Sequence, residues 1–265
     1  MIKKYYVIGN PIDHSLSPKL HNFWFEQNNI RATYEKKKIN DNNLKTIISE
    51  IKEKKISGIN VTVPFKKAVI PYLDELSLAA EQTQSVNTII LHNNSLVGHN
   101  TDIAGFTKAI EYLNFNIEGK KVFILGAGGV VPSIIFALKK MSVSKIIVSN
   151  RTKNKAEDLK SLFHNLEVLD WGDMVDFDVI INATSLGLNE EYINLDFTSF
   201  KNDKLFYDVI YNPAETNFLK EAKKLGNQVE NGKLMFVYQA LESFKLWHGI
   251  EPQINSETLQ ILNND

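Results

Sequence analysis

The sequence predicts an α/β fold divided into two domains. Strand-like runs rich in β-branched and aromatic residues alternate with longer amphipathic runs, as they do in βαβ arrays. This alternation restarts near Ile103, and the chain of 265 residues is long for a single hydrophobic core. We therefore expect an α/β domain over residues 1–102 and a doubly wound domain over residues 103–239, with ligands bound in the cleft between them. The final helices, from about residue 240 to 265, are expected to pack back on the first domain.

Four strands and two helices are predicted in the first domain. The strands are Tyr5–Ile8, Thr33–Lys37, Ile59–Val63 and Val86–Leu91, and the helices are Pro18–Gln27 and Asn42–Lys54. Apolar residues recur at helical spacing in both helices, for example at Leu44, Ile47, Ile48 and Ile51. The pair Asn93-Asn94 after the last strand is typical of a hairpin turn.

The second domain is predicted to repeat the strand and helix alternation around a longer series of strands. The strands are Lys121–Leu125, Lys145–Ser149, Val179–Asn182, Leu205–Val209 and Gln228–Glu230. The helices run from Ile103 through Leu113, from Val130, over Lys153–Phe163 and over Thr216–Leu225. Two further helices, Lys233–Trp247 and Ser256–Leu262, close the chain.

Composition and charge restrict the classes of function. The 30 basic and 31 acidic residues give a net charge of −1, which argues against nucleic-acid partners and against a polybasic membrane surface. Small molecules are therefore the expected partners. The absence of cysteine excludes disulfides, thiolate nucleophiles and cysteine-bound zinc, and a cytoplasmic location is the default expectation. The longest uncharged stretch, Val122 to Leu138, contains glycines and a proline and does not predict a membrane-spanning helix.

A glycine-rich turn joins a predicted strand to a predicted helix. Gly126, Ala127, Gly128 and Gly129 would let the backbone approach a pyrophosphate at the positive end of the helix. The spacing departs from the G-x-G-x-x-G pattern of dinucleotide-binding loops because Val131 stands at the third glycine position. A tight turn without a ligand is the alternative interpretation.

The end of the next strand carries a cation where many dinucleotide-binding domains carry an acid. An acid about twenty residues after the glycines would bind the ribose 2′-hydroxyl of NAD. Here the chain offers Asn150, Arg151 and Thr152, with Lys155 one helical turn later. A guanidinium favours a 2′-phosphate, so NADP is the expected cofactor. The alternative is that Thr152 caps a helix and Arg151 is an ordinary surface cation.

Two hydroxyls and a helix start occur together near the N-terminus. Ser15 and Ser17 could both donate to a small anion such as a carboxylate. Ser17 directly precedes Pro18, however, and on spacing alone a role as the helix N-cap is the stronger interpretation.

A lysine and an aspartate lie where open α/β sheets bind ligands. Lys66 follows the carboxyl end of a predicted strand, but the adjacent Lys67 shows that spacing cannot separate a site lysine from a surface lysine. Asp102 precedes a helix and is equally well interpreted as an N-cap. No histidine spacing predicts a metal site, since His14 and His21 lack a His-Glu-x-x-His context.

Taken together, these segments resemble the shikimate dehydrogenase family, in order and over nearly the whole chain. The matching segments are Gly9–His14 with Ser15-x-Ser17-Pro18, Asn60-Val61-Thr62-x-Pro64-x-Lys66, Val86-Asn87-Thr88, Asn100-Thr101-Asp102-x-x-Gly105, Gly126-Ala127-Gly128-Gly129, Asn150-Arg151-Thr152, Asn182-Ala183-Thr184-Ser185-x-Gly187, Tyr211-Asn212-Pro213 and Gln239-Ala240.

The resemblance implies an N-terminal substrate-binding domain, a Rossmann-like NADP-binding domain, and reversible reduction of 3-dehydroshikimate to shikimate with NADPH. It implies that Lys66 and Asp102 are the catalytic residues. The substrate carboxylate would be held by Ser15, Ser17 and Tyr211, and the hydroxyls and the reacting oxygen by Thr62, Lys66, Asn87, Asp102 and Gln239.

The resemblance also assigns cofactor contacts. The pyrophosphate would be bound by Gly128, Gly129 and Val130, and the preceding loop residues Gly126 and Ala127 are also expected to bind the cofactor. The 2′-phosphate would be bound by Asn150, Arg151 and Thr152, and Lys155 is expected to bind the cofactor from its spacing. The ribose and nicotinamide would be flanked by Thr184, Ser185, Ile210, Gly232 and Met235.

Three other functions stay open at this point. One is a quinate/shikimate dehydrogenase with a broader substrate range and use of NAD. The second is a catalytically silent protein that binds NADP or shikimate and acts in regulation. The third is a related dehydrogenase of another small acid. The sequence is silent on the oligomeric state, and a homodimer is left open.

Overall fold

The structure, a computed structural model, describes residues 2–189, 191–200 and 202–263. The chain divides into two compact units. The first unit comprises Met1–Gly105 together with Val237–Asp265, and the second comprises Phe106–Phe236. Each unit contains one six-stranded sheet, and the predicted α/β class is confirmed.

The sheet of the first unit combines parallel and antiparallel strands. Its elements are β1 (Lys3–Gly9), α1 (Ser17–Gln27), β2 (Ala32–Lys38), α2 (Asp41–Lys52), β3 (Gly58–Val61), β4 (Glu75–Leu76), α3 (Leu78–Thr83), β5 (Thr88–His92) and β6 (Ser95–His99). The strand order is β2-β1-β3-β5-β6-β4, in which β5 is antiparallel to both β3 and β6. The predicted hairpin turn joins β5 to β6, with φ angles of 49° at Asn93 and 66° at Asn94, as a two-residue turn of this kind requires.

Helix α2 packs on the sheet of the first unit, including β3 and the turn that follows it. Its start is capped by Asn40, whose side chain accepts from the backbone N–H of Asn43. The four apolar residues predicted to face the core are buried: Leu44, Ile47, Ile48 and Ile51. They belong to the same cluster as Ile59 of β3 and as Phe65 in the turn that follows β3. The turn after β3 is therefore held in place by the packing of Phe65 in the hydrophobic core.

The second unit has the doubly wound topology that the sequence predicted. Its elements, with the two closing helices, are α4 (Asp102–Tyr112), β7 (Lys121–Leu125), α5 (Val131–Lys140), β8 (Lys145–Ser149), α6 (Lys153–Glu157), β9 (Glu167–Leu169), β10 (Val179–Asn182), β11 (Leu205–Asp208), α7 (Asn217–Lys224), β12 (Gln228–Glu230), α8 (Lys233–His248) and α9 (Ser256–Gln260). The order is β12-β11-β10-β7-β8-β9, with every neighbouring pair parallel. The strand order reverses between β7 and β10, and ligands bind at such a reversal in open α/β sheets.

The structure differs from the sequence prediction in short or irregular segments. The elements β4, α3 and β9 were not predicted, because two to six residues are too few to show a period. Strand β6 was implied only by the predicted hairpin turn that precedes it. Helix α6 ends at Glu157 and continues as a 3₁₀ turn, Asp158–Ser161, instead of reaching Phe163. Strand β3 stops at Val61 because the following Pro64 cannot donate to a ladder, and Val63 is 54% exposed.

None of the helices within residues 2–189, 191–200 and 202–263 combines the length and the apolar character needed to cross a bilayer.

An aromatic cluster in the first unit encloses a histidine. His21 of α1 is fully buried, and its ring is stacked on Tyr34 with centroids 4.3 Å apart. Phe244 and Trp247 of α8 also contact the His21 ring. Neither ring nitrogen has a hydrogen-bond partner within the described part of the chain. Burial therefore lowers the pKa of His21 to about 3, so the imidazole is neutral in the folded protein.

We expect His21→Phe to remove part of the acid sensitivity of the fold. Because the pKa of His21 is lowered in the folded state, the unfolded chain takes up the proton first, and stability is lost as the pH falls below about 6.5. One such group contributes a slope of up to about 1.4 kcal/mol per pH unit. Urea unfolding of the wild type and of His21→Phe between neutral pH and mildly acidic pH measures this difference. Identical slopes for the two proteins would show that His21 is not held neutral.

Candidate active site

Lys66 and Asp102 form a buried ion pair in the first unit. Lys66 lies in the turn after β3, and its carbonyl accepts from the backbone N–H of Val86 at 2.8 Å. Its Nζ donates to Oδ2 of Asp102, and the two residues are 8% and 6% exposed. The neighbouring Lys67, in contrast, is exposed. Burial removes the screening that weakens surface ion pairs, so the attraction between these two charges is stronger than at the surface.

The Asn87 side chain fixes the other carboxylate oxygen of Asp102. Its Nδ2 lies 2.9 Å from Asp102 Oδ1, 2.8 Å from Thr101 Oγ1 and 3.4 Å from Gln239 Oε1. Its Oδ1 accepts from the backbone N–H of Thr101 at 2.8 Å. The structure thus brings together four of the predicted site residues, namely Lys66, Asn87, Asp102 and Gln239. Asp102 is the first residue of α4, and its two carboxylate oxygens accept hydrogen bonds from Lys66 and from Asn87.

The two predicted serines lie side by side at the start of α1. Ser15 Oγ donates to Ser17 Oγ at 3.2 Å, and the Ser17 backbone N–H donates to Ser15 Oγ at 3.3 Å. The interpretation of Ser17 as the N-cap is wrong, because the cap position is Leu16, whose side chain makes no capping hydrogen bond. The reason is that Ser17 is already the first helical residue. The two hydroxyls are therefore placed at the start of α1, where Ser15 accepts from the Ser17 N–H and the cap residue Leu16 offers no side-chain acceptor.

Thr62 closes the carboxyl end of β3 next to Gly9 at the end of β1. Its backbone N–H donates to the Ile8 carbonyl at 2.9 Å. A Cβ atom built on Gly9 would lie 2.5 Å from Thr62 Cγ2, so only glycine permits this approach. Thr62 is half-buried, with its side chain at the same sheet edge as Lys66.

The glycine-rich loop of the second unit provides bare backbone at the start of α5. Gly126 has a φ of 112°, and a Cβ atom there would lie 2.8 Å from the Ala183 carbonyl oxygen, so a side chain is excluded. Gly128 and Gly129 are exposed, and a Cβ atom at Gly128 would meet its nearest neighbour only at 4.0 Å. The positive end of a ten-residue helix follows directly. An exposed backbone with this placement fits a pyrophosphate.

Asn150 ties this loop to the residues predicted to recognise the 2′-phosphate. Its Oδ1 accepts from the Ala127 backbone N–H at 3.1 Å, and its Nδ2 donates to the Thr152 carbonyl at 2.8 Å. Arg151, Thr152 and Lys155 are exposed. Thr152 occupies the cap position of α6, but its side chain makes no capping hydrogen bond. The glycine-rich loop and the exposed Arg151 guanidinium therefore lie at the same edge of the sheet. Backbone N–H groups and a guanidinium are the donors that a phosphorylated dinucleotide needs.

A buried carboxylate that the sequence analysis did not select organises the neighbouring loops. Asp208 accepts from Thr216 Oγ1 at 2.6 Å, from the Ile210 N–H at 3.0 Å and from Asn182 Nδ2 at 3.1 Å. Asn182 Oδ1 in turn accepts from Thr184 Oγ1 at 2.7 Å. Burial raises the pKa of Asp208 to about 6, against the opposing effect of these hydrogen bonds. The sequence did contain a signal for this carboxylate: the adjacent buried strands β10 and β11 both end in a polar residue, Asn182 and Asp208.

The start of α8 is packed closely against the segment after β11. The Gly232 N–H donates to the Ile210 carbonyl at 3.0 Å, and a Cβ atom at Gly232 would lie 2.1 Å from the Val209 carbonyl oxygen. Tyr211 stacks on Phe236, with ring centroids 4.6 Å apart.

The predicted cofactor residues and the predicted substrate residues lie in different units, with one exception. All predicted cofactor residues lie in the second unit, including Ser185 after β10 and the buried Met235. The predicted substrate residues lie in the first unit, except for Tyr211.

Comparisons with known proteins assign both units to one family. The model of the shikimate dehydrogenase substrate binding domain matches residues 7–89, and the model of shikimate / quinate 5-dehydrogenase matches residues 108–194. The NADP(+)-dependent shikimate dehydrogenase of Pelagibacter ubique is 54% identical over 264 residues, covering 99% of this chain and all of that protein.

Solved structures agree with this assignment. The shikimate dehydrogenase of Aquifex aeolicus has a TM-score of 0.92 at 37% identity, over 99% of this chain and 98% of that one. The shikimate 5-dehydrogenase of Thermus thermophilus, solved in complex with NADP(H) and shikimate, has a TM-score of 0.90 at 30% identity, over 99% of each chain. The chain belongs to the shikimate dehydrogenase family.

Proposed function

We propose that this protein catalyses the reversible, NADPH-dependent reduction of 3-dehydroshikimate to shikimate, a step in the synthesis of aromatic amino-acid precursors. The observation that carries the proposal is the buried pair of Lys66 and Asp102 in a chain of this family. A pair of this kind can both stabilise an oxyanion and exchange a proton. The names of the relatives, which specify NADP(+), support the same cofactor here.

The chemistry requires a positive group next to the reacting oxygen. When bound, NADPH supplies the hydride that reduces the carbonyl carbon of the substrate. The carbonyl oxygen then gains negative charge, which the Lys66 ammonium stabilises and neutralises by giving up one proton from Nζ. In the oxidation of shikimate, the neutral Nζ accepts the hydroxyl proton instead. Asp102 holds Nζ through Oδ2, while Asn87 holds Asp102 through Oδ1, so the nitrogen that gives and takes the proton is kept in one position.

Uncharged donors fix the rest of the substrate. Ser15 and Ser17, together with Tyr211, are proposed to bind the carboxylate. Hydroxyls bind an anion less tightly than a guanidinium does, which suits a substrate that must also be released. The ring hydroxyls are proposed to be bound by Thr62, Asn87 and Gln239.

The cofactor is proposed to be held by the second unit. The backbone around Gly128 and Gly129 takes the pyrophosphate, and Arg151 with Lys155 takes the 2′-phosphate. The segments that contain Thr184, Ile210 and Gly232 flank the nicotinamide ribose.

We expect the purified protein to oxidise shikimate with NADP⁺, and to do so much more slowly with NAD⁺. The physical reason is that Arg151 offers a charge-assisted partner that NAD⁺ cannot use. Initial rates of nicotinamide reduction at equal concentrations of the two cofactors measure this preference. Equal rates would remove the 2′-phosphate assignment, and an absence of turnover with both cofactors would overturn the proposed reaction.

A broader quinate/shikimate dehydrogenase is the second candidate, because the family model matched by residues 108–194 is described by both substrates. Replacing shikimate by quinate in the same assay separates the two. The retained Lys66 and Asp102 pair argues against a catalytically silent regulatory protein.

We further propose a cytoplasmic location and small-molecule partners, in keeping with the net charge of −1. A homodimer stays a prediction, which analytical ultracentrifugation can test.

A further inference from the structure

We propose that Ser243 is a positioning residue for shikimate binding. Its buried hydroxyl fixes helix α8, which carries Gln239, against the segments that carry Asn87 and Asp102. The proposal rests on the proposed function, and it adds a residue that does not itself belong to the substrate site.

The Ser243 hydroxyl is a junction between separate segments of the chain. Ser243 is fully buried, and its Oγ lies 2.8 Å from Thr88 Oγ1, 3.0 Å from Asn60 Nδ2 and 3.1 Å from Thr101 Oγ1. It also lies 3.0 Å from the Gln239 carbonyl of its own helix. One small side chain therefore connects β3, β5 and the residue before α4 to α8.

Each of these three neighbours is bonded directly to Asn87. Asn60 Nδ2 donates to the Asn87 carbonyl at 3.1 Å, and Thr88 Oγ1 donates to Asn87 Oδ1 at 3.1 Å. Thr101 Oγ1 lies 2.8 Å from Asn87 Nδ2. Ser243 thus contacts two hydroxyls that bond to the Asn87 side chain, those of Thr88 and Thr101, and one amide that bonds to the Asn87 backbone.

Ser243 is also placed to control the position of Gln239. Residues four apart on a helix lie on the same face, so Ser243 and Gln239 point to the same side of α8. The contact between Gln239 Oε1 and Asn87 Nδ2 is 3.4 Å, which is the long end of hydrogen-bond distances. A small shift of α8 would break this contact. Ser243 is therefore expected to act on groups that bind the substrate hydroxyls, while the glycine loop of the second unit is unaffected.

The test is Ser243→Ala, which removes the hydroxyl and adds no volume. We expect the KM for shikimate to rise about five- to twentyfold, the size of effect that loss of one buried hydrogen bond produces. The KM for NADP⁺ and the kcat are expected to change by less than about twofold, since no bond to the cofactor loop or to Lys66 is removed.

The matched control is Thr258→Ala. Thr258 is another fully buried hydroxyl of the first unit, and its Oγ1 lies 3.1 Å from the Gln253 carbonyl and 3.0 Å from Asn255 Oδ1. We expect this variant to lose thermal stability and to keep both KM values. If Ser243→Ala does not fold, Ser243→Cys is measured in its place, because it keeps a weak hydrogen-bonding group at the same position.

A double variant shows whether Ser243 acts through Gln239. In a Gln239→Ala background, Ser243→Ala is expected to raise the KM for shikimate by less than twofold. An equal rise in the KM for NADP⁺, unchanged kinetics, or a full further effect in the Gln239→Ala background would each overturn the proposal. These outcomes all require an active wild type, so they are distinct from a failure of the proposed function, in which the wild type itself does not turn over shikimate.

Discussion

Replacing Lys66 by alanine is expected to lower the kcat for shikimate oxidation by about 10²–10⁴-fold, the range for loss of a group that acts as general acid and base. Lys66 Nζ is the only charged donor bonded to Asp102 among the described residues, so its removal takes the positive charge away from the reacting oxygen. Steady-state rates with saturating shikimate and NADP⁺ measure the loss.

The adjacent Lys67→Ala is the matched control for this experiment. Lys67 has the same chemistry but is exposed, and its replacement is expected to leave kcat unchanged. The Lys66→Ala variant leaves the Asp102 carboxylate buried without its cation and is expected to lose stability. It is still expected to fold, because Asn87 continues to donate to Asp102. Circular dichroism checks this point, and normal turnover by a folded Lys66→Ala protein would show that the catalytic assignment is wrong.

Replacing Arg151 by serine is expected to reduce kcat/KM for NADP⁺ by about 10–10³-fold, since a charge-assisted, bidentate contact to the 2′-phosphate is lost. The kcat/KM for NAD⁺ should change little, because NAD⁺ carries a hydroxyl at that position. Initial rates over a range of each cofactor, at saturating shikimate, measure the two constants.

Lys153→Ala is a suitable control for the Arg151 variant. Lys153 is a nearby exposed cation, but its Nζ is paired with Asp170 at 2.8 Å. We expect it to alter neither constant by more than about twofold, as is usual for an exposed ion pair. A parallel fall of both constants in Arg151→Ser would mean that this residue supports the loop and does not recognise the phosphate.

Five of the six strands of the second unit could be predicted closely because of their place in the sheet, and the short strand β9 was the exception. Parallel strands covered on both faces appear as continuous apolar runs, such as Val179–Asn182 in β10. The two-residue strand β4 and the six-residue helix α3 could not be predicted, because elements this short show no period in the sequence.

The sequence named the members of the candidate site, but it predicted few of the contacts between them. Spacing could not separate Lys66 from Lys67, because the burial of each depends on the packing of the turn after β3. Once the ordered motifs pointed to a family, Lys66 and Asp102 could be selected together. Ser243 could not be found in this way, since its partner Thr88 is 155 residues away in the chain.

The most direct test of the Lys66 and Asp102 pair is a double-mutant cycle on kcat with Lys66→Ala, Asp102→Asn and the double variant. Residues that act as one unit lose their effect together, so the double variant is expected to be no more than about threefold slower than the slower single variant. Losses that multiply in full would contradict a coupled pair and would mean that the lysine and the aspartate serve the reaction independently.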